Sequence, residues 1–249
     1  MSKADTSIST DIEYTVIKYL PFFSEIRKRL IFVFCLLIIT SVIGFIYSDR
    51  IIRLIVEAFG IKGVNIVFTS PFQSINLSIT IALLAGSVIL FPLILLQLVF
   101  FLKPALTDKE YRLVLYLLPV SILLFIAGAT FGMVVMHYII GAFYLQSVNL
   151  NLGNFLDISN LISHILVISI LMGFTFQFPV VITALMHLKI IKYKTLSKRR
   201  FWIYAGSAMI AGLIPPADIP ATAVYFLILV TLFDLTLILN KYVLKSHLL

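Results

Sequence analysis

Charged residues are scarce in this chain. Asp, Glu, Lys and Arg together make up 12% of its 249 residues, whereas apolar residues make up 61%. A soluble domain contains roughly 25% charged and about 45–50% apolar residues. So much apolar surface cannot be buried in one water-soluble core. The composition therefore excludes a soluble globular protein and indicates an integral membrane protein.

Cysteine and the common catalytic motifs are also missing. The one cysteine, Cys35, lies inside an apolar run, which excludes an intrachain disulfide and a cysteine-based metal cluster. There is no H-E-x-x-H, no G-x-S-x-G, no pair of aspartates within the apolar runs and no glycine-rich phosphate loop. His137, His164 and His187 are not spaced as metal ligands. We therefore expect no enzyme activity, no metal and no cofactor.

Six apolar runs predict an all-α protein with six transmembrane helices, the last two of them short. The runs cover about residues 30–47, 71–101, 113–140, 161–188, 201–214 and 221–239. The fifth reaches roughly 21 Å against a hydrocarbon core of about 30 Å, so it either shelters behind longer helices or thins the bilayer. Between the first two runs, residues 48–63 are amphipathic enough to lie in the interface. The predicted organisation is a flexible N-terminus at 1–20, a single six-helix membrane domain at 21–240 and a short tail at 241–249.

The distribution of Lys and Arg predicts the orientation of the chain. Sixteen of these residues fall on the side of the two termini and of the loops at 101–112 and 189–200, and three fall on the opposite side. Cytoplasmic segments carry the excess of positive charge. Both termini are therefore predicted to be cytoplasmic.

Two polar stretches on this side carry carboxylates beside the membrane. Glu25 lies in FFSEIRKRL at 22–30, and Glu110 lies in FLKPALTDKEYR at 101–112. A planar guanidinium fits a carboxylate bidentately, and a pair near the membrane surface is worth more than an exposed salt bridge. Together the two carboxylates can hold two adjacent arginines of a cationic peptide. The alternative is that they only balance nearby cations, namely Arg27, Lys28, Arg29, Lys109 and Arg112.

Two polar side chains lie within the predicted spans. Gln177, in the fourth span, can hydrogen-bond a neighbouring helix of the same chain or receive a polar segment of a partner helix. Asp234, in the sixth span, is either functional, which is the default interpretation of an intramembrane carboxylate, or reaches the inner interface near Asn240.

The order of motifs resembles the TatC family, the multispanning receptors of the twin-arginine, Sec-independent protein translocase. The resemblance covers about residues 21–241. Its motifs are EIRKRL at 25–30, TSP at 69–71, the loop pattern of Phe101, Pro104, Leu106 and Glu110, FQFPV at 176–180, and KRR at 198–200 followed by a short span and Pro215-Pro216.

The sequence departs from the family pattern at four places. Phe22 stands where the family often has His, Gln73 and Gln177 stand where it usually has a carboxylate, and Ala217 separates the proline pair from Asp218. Peptide recognition therefore carries over, whereas a role that needs an ionisable group in the fourth span does not.

The resemblance implies a non-enzymatic receptor and core subunit that binds the twin-arginine signal peptides of folded precursors at the cytoplasmic face. The residues it assigns to binding are Glu25, Arg27, Arg29, Pro104, Leu106 and Glu110. Gln177 and Asp234 would meet partner helices, and Pro215, Pro216 and Asp218 would form a periplasmic-side loop. The implied partners are single-span TatA- and TatB-type subunits, further copies of the chain and membrane lipid, with the proton-motive force as the energy source.

We expect no nucleic-acid partner. The expected location is a bacterial inner membrane, with a thylakoid or mitochondrial inner membrane as the other settings. The alternative function is a multispanning secondary transporter of a small solute or ion. That class predicts inverted repeats and a continuous polar path, and the sequence has few charges within its spans and no internal repeat.

Overall fold

The computed structural model of the protein describes residues 3–59, 65–67, 70–149, 155–213 and 219–243. These ranges contain the helices α1 (Lys3–Ile46), α2 (Ser48–Phe59), α3 (Pro71–Leu102), α4 (Asp108–Asn149), α5 (Ile158–Thr175), α6 (Phe178–His187), α7 (Tyr193–Lys198), α8 (Arg200–Leu213) and α9 (Ile219–Ile238). They also contain the strands β1 (Asn65–Val67) and β2 (Phe155–Asp157). A 3-10 turn, Lys103–Ala105, follows α3, and a π-helical turn, Leu239–Val243, follows α9.

Within these described ranges, five helical segments are long and apolar enough to cross a membrane. They are Ser24–Ile46, Phe72–Leu102, Asp108–Phe143, Ser159–His187 and Thr222–Tyr242, and they match predicted spans one to four and six. The fifth predicted span forms α8, whose 14 residues are fewer than the roughly 20 that a spanning helix needs. The helical membrane class is confirmed, and the sixth crossing and the cytoplasmic termini stay predictions.

The predicted lead, domain and tail also stay predictions. α1 already begins at Lys3, inside the segment expected to be a flexible lead. The helix continues without a break through the first predicted span, so the structure gives no boundary near residue 20.

The fourth predicted span is broken into two helices. α5 ends at Thr175 and α6 begins at Phe178, with Pro179 as its second residue. A proline has no N–H to donate and its ring clashes with the carbonyl four residues earlier, which here belongs to Thr175. The break places Gln177 between the two helices.

Two short strands, which were not predicted, lie beside the helices and leave the all-α class unchanged. β1 and β2 have three residues each and pair in parallel, with Asn65 opposite Phe155 and Val67 opposite Asp157. Segments this short show no measurable alternation of apolar and polar residues, so no strand could be predicted there. The pair joins the chain after α2 to the chain before α5.

The centre of the bundle is formed by α3, α4 and α5. Ile162, Ile165 and Ile168 of α5 and Leu77 of α3 are completely inaccessible to solvent. α4 lies unusually close to α5, because a Cβ placed on Gly128 would be 2.6 Å from the carbonyl oxygen of Met172. The missing side chain lets the two backbones approach each other, as small residues do between membrane helices.

The predicted amphipathic segment forms α2. Its apolar face, which includes Ile51, Ile55 and Phe59, packs against the same core, while Arg53 and Glu57 are exposed. The spacing of the three apolar residues, four apart, places them on one side of the helix. α2 therefore covers the end of the bundle that lies opposite Glu25 along α1.

Candidate functional site

Glu25 lies near the start of the first apolar run and is held by Arg29, one helical turn further along α1. The Arg29 guanidinium donates to Glu25 Oε1 from Nη2 at 2.5 Å and from Nε at 3.2 Å. The pairing is the i, i+4 arrangement, in which side chains on one helix face meet. Glu25 is half-buried, so the pair is less screened than a fully exposed ion pair.

Arg29 also binds the end of α3. Its Nη1 donates to Gln97 Oε1 at 2.9 Å and to the Gln97 carbonyl oxygen at 3.1 Å. The guanidinium lies 5.7 Å from the ring centroid of Phe101, within the range of a cation–π contact. Arg29 therefore fixes Glu25 beside the last turns of α3, immediately before the polar loop.

Glu110 lies in the first turn of α4. Its Oε2 accepts hydrogen bonds from Thr107 N at 2.9 Å and from Thr107 Oγ1 at 2.7 Å. This is the side-chain half of a capping box, Thr-x-x-Glu, which satisfies an amide at a helix N-terminus. The positive charge of Lys189 also acts on this carboxylate. Thr107 and Glu110 have the spacing of this motif in the sequence, although the capping role was not predicted.

The structure brings the two carboxylates to the same end of the bundle. Arg29 reaches Gln97 and Phe101, α3 ends at Leu102 and α4 begins at Asp108. Pro104 is exposed in the 3-10 turn between them, and Leu106 is half-buried. The turn thus connects the surroundings of Glu25 with those of Glu110.

Each carboxylate has one oxygen that is not engaged within the described part of the chain. All hydrogen bonds of Glu25 use Oε1, and both hydrogen bonds of Glu110 use Oε2. Arg27 is exposed and its side chain pairs with no described residue. Two oxygens of two carboxylates at one end of the protein can therefore still accept donors from a ligand.

Gln177 is buried, with 8% of its surface exposed, and its amide is bonded within the chain. Oε1 accepts a hydrogen bond from Ser121 Oγ of α4. Nε2 donates to the Ser121 carbonyl at 3.1 Å and to the Gly173 carbonyl at 3.3 Å. Of the two uses left open by the sequence, the contacts support the hydrogen bond to a neighbouring helix. The pair closes one end of an apolar cavity of about 190 Å³ between α3, α4 and α6.

Replacing Gln177 with Leu is expected to destabilise the protein by about 1–3 kcal/mol, because it leaves the Ser121 hydroxyl without its acceptor in a buried place. The double variant Ser121→Ala/Gln177→Leu is expected to be less destabilised than the sum of its two single variants, since neither group is then left unpaired. Unfolding in detergent, followed by far-UV circular dichroism, measures both. Additive effects would contradict the contact between the two side chains.

Asp234 of α9 joins α8. Tyr204 Oη lies 2.9 Å from each of its carboxylate oxygens, and Arg200 Nη1 is 3.9 Å from Oδ1. Arg200 and Tyr204 are four residues apart and share one face of α8. The carboxylate thus has partners within its own chain, which sequence reasoning did not identify, and it holds the short helix against α9.

A second polar contact was also missed. Gln73 Nε2 donates to Asp157 Oδ2 at 2.7 Å, and Asp157 Oδ1 accepts from Ser159 N at 2.9 Å. Asp157 is the N-cap of α5, and an aspartate directly before an apolar run is the sequence signal for that role. The contact ties the start of α3 to the start of α5.

Other predicted positions are not tested by geometry. Pro215, Pro216 and Asp218 lie outside the described residues. Among the residues that are described, no group of three or more His, Cys, Asp or Glu side chains could hold a metal ion.

Comparison with known proteins identifies the family to which this sequence is similar. The model of the TatC family, described as Sec-independent protein translocase protein (TatC), matches residues 21–228. The chain is 28% identical over 237 residues to Sec-independent protein translocase protein TatCy of Bacillus subtilis (strain 168), with 93% of this chain and 92% of that protein covered. It is 26% identical over 219 residues to the TatC protein of Carboxydothermus hydrogenoformans, with 88% and 90% covered.

A solved structure gives the same result. The crystal structure titled Twin Arginine Translocase Receptor- TatC superimposes with a TM-score of 0.77 at 27% identity, covering 88% of this chain and 97% of the other. Sequence and fold therefore agree over nearly the whole length of both chains. The chain belongs to the TatC family of Sec-independent protein translocase proteins.

Proposed function

We propose that this membrane protein, a core subunit of a Sec-independent protein translocase, is the receptor that binds twin-arginine signal peptides through Glu25 and Glu110. The observation that carries the proposal is the unengaged oxygen on each carboxylate, at the same end of the bundle. Adjacent arginines need two acceptors at a fixed separation, and carboxylates bind guanidinium groups with the best geometry.

The contacts of Arg29 support this chemistry. Its guanidinium already rests on Phe101 and bonds Gln97 and Glu25, so the surface beside Glu25 is complementary to a guanidinium group. An incoming arginine uses the free Oε2 of Glu25, and Arg29 keeps the carboxylate oriented. Pro104 and Leu106 form the turn over which the peptide passes to Glu110, and exposed Arg27 contacts the peptide backbone or lipid phosphate.

The remaining proposed partners are those that membership of the family implies. Single-span TatA- and TatB-type subunits and further copies of this chain would pack against its apolar outer faces, where large side chains such as Phe32, Phe34 and Ile38 are exposed. Gln177 and Asp234 would meet such helices only by giving up contacts with Ser121 and Tyr204. Pro215, Pro216 and Asp218 would form a loop on the periplasmic side. The subunit acts without a catalytic centre of its own. Because the chain belongs to the TatC family, we favour the translocase function over the alternative of a secondary transporter.

A photocrosslinking experiment tests the receptor. A photoreactive amino acid is introduced at Lys28 or Lys109, which are exposed neighbours of the two carboxylates, and at Arg53 on α2 as a control. We expect a twin-arginine peptide to label the first two positions in membranes and to leave Arg53 unlabelled. A twin-lysine peptide is expected to bind at least about tenfold more weakly, since an ammonium group is more strongly hydrated than a guanidinium group and loses more on contact with a partly buried carboxylate.

The same experiment can overturn the proposal. Equal labelling by the twin-arginine and twin-lysine peptides would mean that the carboxylates do not discriminate between the two cations. Labelling at Arg53 alone would place the peptide at the other end of the bundle.

A further inference from the structure

A basic segment, defined here as residues 189–202, connects α6 to α8. It contains six basic residues and no acidic residue: Lys189, Lys192, Lys194, Lys198, Arg199 and Arg200. All six side chains are exposed. The segment takes no part in the recognition site except through the charge of Lys189 near Glu110.

The positive charge of the basic segment is not neutralised within the described chain. Arg200 is 3.9 Å from Asp234, but the side chains of Lys192, Lys194, Lys198 and Arg199 form no ion pair or hydrogen bond with any residue that the structure describes. Arg29, by contrast, is paired with Glu25. A concentrated and uncompensated positive charge calls for an anionic ligand.

The backbone holds these cations against the bundle. The chain reverses at Lys189, which has a φ of 57°. Ile190 N donates to the carbonyl of Leu185, and Lys189 N to that of Met186. These two bonds form a Schellman motif, which ends a helix sharply. After the reversal, Tyr193 and Leu196 pack on the apolar cluster at the ends of α6 and α9, so the segment lies across the bundle instead of extending into solvent.

Large apolar side chains beside the cations indicate the class of ligand. Ile190, Phe201 and Trp202 are 66%, 75% and 73% exposed. Aromatic residues next to basic residues at a helix end are typical of the membrane interface, where the ring lies at the boundary between headgroups and acyl chains and its apolar part contacts the chains. An acidic peptide would pair with the cations but leave the apolar side chains exposed. An anionic phospholipid pairs with the cations through its headgroup and contacts the apolar side chains through its acyl chains.

We propose that the basic segment is a binding site for anionic phospholipids, with Lys192, Lys194, Lys198 and Arg199 contacting the headgroup and Phe201 and Trp202 contacting the acyl region. Basic clusters beside membrane helices bind anionic headgroups in this way. The site is separate from Glu25 and Glu110, so it does not depend on the proposed receptor function.

The chain carries its own reporter for the test, since Trp202 is the only tryptophan. The full-length protein is reconstituted in phosphatidylcholine vesicles that contain a small fraction of dibrominated phosphatidylglycerol or, in parallel, dibrominated phosphatidylcholine. Bromine quenches tryptophan fluorescence on contact, so the quenching reports the lipid beside the basic segment. We expect the anionic lipid to bind roughly fivefold or more tightly than the zwitterionic one at low salt, which is about the effect of one unscreened cation near an anionic surface. Raising the ionic strength to about 1 M should remove the preference, because the Debye length falls to about 3 Å.

Two triple variants separate a local site from general surface charge. The first triple variant is Lys192→Gln/Lys194→Gln/Lys198→Gln. We expect it to bind the anionic lipid less than about twofold more tightly than the zwitterionic lipid. Lys28→Gln/Lys109→Gln/Arg112→Gln removes the same charge from exposed positions at the same end and should leave the preference unchanged. Equal loss in both triples would overturn the proposal. So would equal quenching by the two lipids in the unmodified protein, and an acidic protein segment would then be the ligand of these cations.

Discussion

Glu25→Lys and Glu110→Lys are each expected to abolish the export of precursors that carry a twin-arginine signal, while the protein still inserts into the membrane. Each change replaces an acceptor for a guanidinium with a cation. Losing one partner of a partly desolvated charge pair costs about 2–5 kcal/mol, which is roughly 30-fold or more in affinity, and the new cation adds repulsion. The measurement is export of a signal-bearing reporter in a host that lacks its own family member, with membrane levels of the variant determined in parallel.

Asp108→Lys is the matched control for charge reversal. Asp108 is exposed and lies two residues before Glu110, in the same turn of α4. The substitution affects the helix N-terminus by only about 0.3–1 kcal/mol, so export should persist. If export were lost equally in all three variants, the cause would be the general change in surface charge. That result would contradict recognition by Glu25 and Glu110.

Glu110 has two roles to separate, because it also caps α4. Glu110→Gln removes the charge but keeps a side chain that can cap, since Gln serves the capping box as Glu does. Thr107→Val keeps the charge but removes the hydroxyl that bonds Glu110 Oε2 at 2.7 Å. The receptor proposal expects export to fall in the first variant and to persist in the second. The opposite pattern would make helix capping the function of Glu110.

The positions of the helices could be predicted because apolar runs and Lys/Arg bias are local properties of the sequence. The partners of the polar side chains could not. Arg29 bonds Gln97, Ser121 bonds Gln177, and Tyr204 bonds Asp234, and each pair joins residues of different spans. The period of a helix shows which residues share a face, but it does not show which helix lies opposite that face. For this reason the sequence left two alternatives open at Gln177 and at Asp234.

Two helix caps and one close helix contact have local sequence patterns from which they could have been predicted. Thr107 and Glu110 have the spacing of a capping box, and Asp157 precedes an apolar run as an N-cap does. Gly128 and Gly132 form G-x-x-x-G within the third predicted span, a pattern typical of close helix contact in membranes. Glu25 and Glu110 could be singled out because carboxylates are scarce among the basic residues beside the membrane, and the other candidate recognition residues were implied by the family resemblance. The orientation of Glu25 through Arg29, Gln97 and Phe101 depends on tertiary contacts.

Gly128→Val is expected to be the most damaging single change in the membrane core. A Cβ at this position would lie 2.6 Å from the Met172 carbonyl oxygen and 2.7 and 2.8 Å from Cγ and Cβ of Phe176. A backbone oxygen inside α5 cannot move without separating α4 from α5, and the two further methyl groups of valine increase the overlap. Overpacking a close-packed core typically lowers the free energy of unfolding by about 1–3 kcal/mol and sometimes more. Because one of the clashing atoms is a backbone oxygen, we expect a loss of about 3 kcal/mol or more. Yield of folded protein and its melting temperature in detergent measure the loss.

Gly141→Val on the same helix is the control, because among the described residues no atom outside its own stretch of helix lies within 4 Å of a Cβ placed there. Valine is also a better helix former than glycine by a few tenths of a kcal/mol, so this variant should melt at or slightly above the temperature of the unmodified protein. Phe176→Ala should rescue Gly128→Val only in part, since it removes the ring but leaves the Met172 oxygen in place. Full rescue would show that the ring alone is the obstacle, and a Gly128→Val protein that melts like the Gly141→Val protein would contradict the close approach of α4 and α5. Partial rescue would show that the backbone of α5, and not only the Phe176 ring, limits the space beside Gly128.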